Sequence, residues 1–208
     1  MGNLKIKIKA SKIMYLVIAL VAIYILIYLI PNNIDKLALI PEKFYSGEYW
    51  RILTFHFSHL NMQHLLTNIG GALFVGFLAA EVKAKFDNFT IVYFLAGIIA
   101  LLPFLSTMNF AALGASASIY GAFGMVALKS EKWKIRKEYV FALLIIAIFI
   151  ESLIYYFNCG ASCEQFLFSS KQGMLHFAGL ASGSIIFLSI RQFRKSSDKR
   201  KRRALRGG

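Results

Sequence analysis

Four residues in this chain combine types and spacings that do chemistry at a carbonyl. Ser116 carries a hydroxyl near the start of one long apolar run, and His176 carries an imidazole near the start of another. A serine becomes a nucleophile only beside a base, and neutral imidazole serves as that base. His64 and Asn68 open a third apolar run at a spacing of four, so a helix places them on one face. Together with the Ser116 backbone N–H, they can donate to the oxyanion of an acyl-transfer intermediate. Ionisable groups inside apolar runs are costly and mark function by default.

Each residue also has a plainer reading. A serine in a membrane helix commonly bonds to the backbone, and Ser118, about 200° further round the helix, is a rival nucleophile. A lone histidine in an apolar span often acts only as a buried hydrogen-bonder. His64 and Asn68 also read as a structural polar pair. His56, His59 and His64 invite a zinc site, yet no HExxH is present and no acid lies between Glu48 and Glu81, so no metal is expected. A protease using two intramembrane aspartates is excluded, because Asp35, Asp87 and Asp198 all fall between runs. Glu81 and Glu151 are the acids at membrane depth, and Glu151 is expected to meet water or bond a neighbour.

These positions require helices that cross a bilayer. The chain has 208 residues, 58% of them hydrophobic, against about 45–50% apolar in soluble domains. Its mean hydropathy is +0.60. The net charge of +14 does not point to nucleic acid, because twenty of the 24 Lys and Arg sit in alternate gaps between apolar runs. Those gaps hold Lys5 to Lys12, Lys83 and Lys85, Lys129 to Lys137, and Arg191 to Arg206. This is the positive-inside pattern of a polytopic protein.

The chain is therefore expected to be an all-α polytopic membrane protein of six spans. A basic cytoplasmic N-terminus covers 1–12, the helical domain 13–190 and a basic, disordered cytoplasmic tail 191–208. Span 1 is Ile13–Ile30, too long for a signal-peptide core and lacking a cleavage pattern. A long connection follows, rich in interfacial aromatics such as Tyr49 and Trp50. Spans 2 to 6 fall near Met62–Val82, Phe89–Leu105, Ala112–Leu128, Tyr139–Phe157 and Met174–Ile190. Both termini are then cytoplasmic, the plasma membrane is the expected location, and spans 2, 4 and 6 all begin at the outer face. His64, Asn68, Ser116 and His176 thereby share one depth. Cys159 and Cys163 fall in the last external gap, where a disulfide and two free thiols are both open.

Small residues accompany the serine and histidine. Gly121 and Gly124 follow Ser116, and Gly179 with Gly183 form a GxxxG after His176. Such residues let helix backbones approach closely, which a short serine-to-histidine contact needs.

With these motifs assembled, residues 13–190 resemble the rhomboid family of intramembrane serine proteases. The resemblance is carried by Trp50-Arg51, His59-x4-His64-x3-Asn68, Gly114-x-Ser116 with Tyr120, and His176-x2-Gly179-x3-Gly183. It implies a six-transmembrane-helix rhomboid-like bundle, with Ser116 as nucleophile, His176 as general base and no third acid. It further implies an oxyanion site using His64 and Asn68, Tyr120 packed on the His176 ring, and a first loop shaped by Trp50 and Arg51. The implied partners are the lipid bilayer and single-span membrane protein substrates, cut near their outer end after a small residue, with no cofactor. Ala117 departs from the family pattern, which has glycine after the nucleophile.

Two other functions compete. A non-catalytic rhomboid-like protein would bind membrane helices without cutting them, but such relatives usually lose the nucleophile or base, and both are kept here. A small transporter would show broken helices and internal repeats, and neither is apparent.

Overall fold

The computed structural model describes residues 11–107, 110–158 and 163–205, with side chains left out at 158, 163–169, 203 and 204. The described residues are helical throughout apart from connections, and Cys159 lies outside them. Helix α1 spans Lys12–Tyr28 and is capped by the Ser11 hydroxyl. Three short helices follow: α2 (Asn33–Leu37), α3 (Pro41–Tyr45) and α4 (Arg51–Thr54). The long helices are then α5 (Met62–Glu81), α6 (Phe86–Leu101), α7 (Ser116–Ala127), α8 (Lys137–Asn158) and α9 (Cys163–Ala204). Four segments are long and apolar enough to cross a membrane: Met62–Glu81, Phe86–Phe104, Lys137–Phe157 and Ser170–Arg202. With the shorter apolar helices α1 and α7, they make an all-helical polytopic bundle, and the protein is an integral membrane protein.

Helix α7 is the centre of the bundle. It packs against α5, α6, α8 and α9, and nine of its twelve residues are buried. It begins later than the expected Ala112. Ala112 is drawn away from a helical path by paired backbone bonds to Leu39, and the Gly114 N–H bonds to the Phe55 carbonyl at 2.9 Å. Gly114 itself has φ +92°, a conformation that favours glycine. Twelve residues rise only ~18 Å, so α7 cannot cross a ~30 Å hydrocarbon core alone. Its entry loop must dip into the bilayer, where irregular backbone survives only if buried in protein or lining a polar cavity.

The other marked difference is α9. Residues 163–173 and 191–204 continue the helix rather than forming a loop and a disordered tail. An established helix propagates at little cost, the tail is rich in good helix formers, and its Lys and Arg complement the dipole at the C-terminus.

The basic connections share one end of the bundle. Partial burial, then the charges of Arg191, Lys132 and Lys85, hold the Lys129 amine below its usual value. Lys132 also donates to the Glu81 carbonyl at the end of α5. At the other end Arg51 is buried and ties the first connection together. Its guanidinium donates to the carbonyls of Ala38 at 2.7 Å and Asp35 at 2.9 Å, and to the Glu48 carboxylate. Trp50 is 52% exposed beside it.

Candidate functional site: a polar cluster inside the bundle

Helices α7 and α9 meet through their backbones. A Cβ on Gly179 would strike the Ala117 carbonyl, and one on Gly183 would strike the Gly121 backbone. A Cβ on Gly124 would meet the Leu180 carbonyl at 2.6 Å. The small residues singled out in the sequence therefore form one contact, with Gly121 also pressed against Ala96 of α6.

That contact carries Ser116 and His176 on neighbouring helices. Ser116 lies thirteen residues before Lys129, and His176 fifteen before Arg191. Both thus sit ~20–22 Å from the basic end. His176 is buried, and its ring stacks on Tyr120 at 4.7 Å between centroids and 24° between planes. Tyr120 is one turn after Ser116, so the ring contact brings the imidazole to the first turn of α7. No hydrogen bond joins Ser116 to His176 among the described residues. Such contacts are often long in the unliganded state and tighten around a substrate.

Ser116 is partly accessible, whereas the rival Ser118 is fully buried. Ser118 is hydrogen-bonded to His56 Nδ1 at 3.0 Å beneath Gly97 of α6. This second serine–histidine pair is not visible in the sequence, since its members stand 62 residues apart with two spans, α5 and α6, between them. Burial alone pushes His56 down to about 3, which keeps it neutral. His59 is also buried, and burial, then the nearby His64, pushes it down to about 4. Its ring lies 5.1 Å from Tyr24 and 5.3 Å from His64. Among the described residues no group of three His, Cys, Asp or Glu is arranged to hold a metal ion.

His64 and Asn68 face the entry to α7. A Cβ on Gly114 would lie 2.7 Å from His64 Nε2 and 3.7 Å from Asn68 Nδ2. Asn68 Nδ2 donates to the His64 carbonyl at 2.8 Å, which leaves its second N–H available. The N-cap of α7 is Ala115, whose side chain cannot cap, so the first-turn N–H groups have no side-chain partner there. The positive end of the α7 dipole lies at Ser116, and His64 and Asn68 lie against Gly114, two residues before it.

Glu151 completes the cluster from α8. Its Oε2 lies 3.2 Å from His176 Nδ1 and accepts from the Tyr120 hydroxyl at 2.8 Å. It stands fourteen residues from Lys137, ~21 Å from the basic end and level with Ser116 and His176. A single acid in an otherwise uncharged stretch of α8, at that shared level, was the available signal.

The fold and cluster define a polytopic membrane protein with a serine, histidines and a half-exposed carboxylate gathered among its helices. A family model described as the Rhomboid domain matches residues 46–193, and the chain belongs to the rhomboid family. It is also 31% identical over 103 residues to a protein from Arabidopsis thaliana described as "Inactive RHOMBOID-like protein 8". That match covers 49% of this chain and 29% of the Arabidopsis protein, so the chain spans about three tenths of that relative's length.

Proposed function

We propose that this protein is an intramembrane serine endopeptidase. The observation that carries the reading is that α7 and α9 touch backbone to backbone, with accessible Ser116 opening α7 and buried His176 stacked one turn below it. In the proposed reaction His176 Nε2 takes the Ser116 Oγ proton as Oγ attacks the scissile carbonyl. The oxyanion is held by the Ser116 N–H, His64 and the free N–H of Asn68. His176 then gives its proton to the leaving amine, and water hydrolyses the acyl-serine by the same steps in reverse roles. No cofactor takes part. Substrates are single-span membrane helices, unwound locally so that a helical carbonyl becomes open to attack, and cut after a small residue near their outer end. The basic end is cytoplasmic, both termini with it, in the plasma membrane, so the cluster opens to the outside.

Ala117 fits this reading. Its carbonyl already abuts Gly179, and its methyl removes no group that the reaction uses.

The test is cleavage of a transmembrane substrate by the purified protein in liposomes. Ser116→Ala and His176→Ala are expected to abolish cleavage while the protein still folds, and Ser118→Ala to retain it. Activity in Ser116→Ala with loss in Ser118→Ala would move the nucleophile. A second reading, a helix-binding protein without activity, is favoured by the description of the Arabidopsis relative. It predicts no covalent fluorophosphonate label on the parent protein, whereas the protease predicts a label that Ser116→Ala loses.

A further inference from the structure

We infer that Glu151 is a positioning residue for the base, adding a carboxylate to a serine–histidine pair for which the family resemblance implies no third acid and making a serine–histidine–glutamate relay. This rests on the protease reading above. A carboxylate oxygen that already accepts from the Tyr120 hydroxyl can only accept again from its neighbour. His176 Nδ1, 3.2 Å away, must then carry the ring proton. That tautomer leaves the lone pair on Nε2, the atom that has to receive the Ser116 proton. The ring is held on two sides, by the stacked Tyr120 face and by the carboxylate at its edge, while Tyr120 also holds the carboxylate.

The Glu151 side chain is 46% exposed, and the side it turns inward meets Tyr120 and His176. Helix α8 is the most peripheral span, with 6% of its apolar window buried. A carboxylate on such a helix is costly unless it is paired. Here its pair is the one imidazole that becomes positively charged during the reaction. A buried imidazolium needs a counter-charge, and Glu151 supplies it at the moment the proton arrives. The groups that face His176 are Glu151 from α8, Tyr120 from α7 and, within electrostatic range, His64 from α5. Of these only Glu151 carries a negative charge to favour the charged ring. Because Glu151 rides on α8, the relay is assembled only while α8 is seated against α7 and α9.

The experiment compares the full-length parent, Ser116→Ala, Glu151→Gln and Glu151→Asp in liposomes. Glu151→Gln is expected to lower kcat about 10- to 100-fold with KM little changed, as for other groups that orient a functional imidazole. It should also move the acid limb of the pH profile of kcat/KM to lower pH, since the neutral amide no longer favours the imidazolium. Glu151→Asp should recover part of kcat. A role confined to seating α8 would change KM and thermal stability and leave the acid limb in place. Parent kcat and an unmoved acid limb in Glu151→Gln would overturn the relay while leaving the protease intact. Nitrogen-15 histidine spectra of Ser116→Ala provide a readout that needs no activity. A downfield Nδ1-bound proton on His176, lost on adding Glu151→Gln, is expected, and its absence would overturn the contact. A parent that neither cleaves nor takes a fluorophosphonate label overturns the protease, and the relay with it, whatever the spectra show.

Discussion

On one side α9 presses Gly179 and Gly183 into the backbone of α7, and on the other it leaves an apolar cavity of about 710 Å3 against α8. The cavity is lined by Ile148, Phe149 and Ser152 of α8, Gly173 and Phe177 of α9, and Phe104 at the end of α6. The first contact leaves no room for a methyl group. The second is bridged near its edge by polar groups, Glu151 meeting His176 and Tyr120. Ser116, the proposed nucleophile, thus opens the helix of the tight seam. Glu151, the proposed positioning residue, comes from the loosely packed one. Close packing fixes distances to fractions of an ångström, as the first requires. A contact carried by one side chain across a loose seam can be made and broken at little cost.

The largest effect that would break this contrast is overpacking of the tight seam. Gly183→Val should destabilise the protein by about 3 kcal/mol or more, because its side chain would fall on Gly121 backbone atoms that cannot rotate away. Thermal unfolding in detergent measures this, and a parent-like Tm would show that the two helices can part.

Acid should act next, at the connection between α4 and α5. His56 and His59 are buried with values pushed down to about 3 and about 4, from the usual 6.5. Between pH 6.5 and about 4 the unfolded chain binds protons that these rings refuse in the folded state. Stability therefore falls as pH drops through that window. A Tm independent of pH there would contradict the burial of both rings.

A smaller loss is expected from Ser118→Ala. It leaves His56 Nδ1 buried without its partner, at a cost of about 1–3 kcal/mol. Cleavage should persist, so the variant lowers Tm without removing activity. The smallest effect belongs to the loose seam. Gly173→Ala places its methyl 2.5 Å from the Ser152 hydroxyl, which donates to the Ile148 carbonyl at 2.9 Å, and displacing that one hydroxyl should change stability by no more than about 1 kcal/mol. A loss matching that of Gly183→Val would erase the difference between the two seams.

The apolar runs, the alternation of basic gaps, and Ser116, His176, His64 and Asn68 as outliers in apolar surroundings were all readable from residue order. Each is a one-dimensional signal: a run must be about twenty residues to span, and an intramembrane polar group stands out wherever it lies. The GxxxG of α9 likewise announced a close contact, and the structure places that contact on α7. The short α7, the Ser118–His56 pair and the Glu151–His176 contact were not readable in this way. They depend on the angle at which each helix faces its neighbours, and on a loop pinned by Leu39 and Phe55 from far away in the chain. Composition and period place a residue at a depth along a helix. Only packing turns residues at one depth toward a common point.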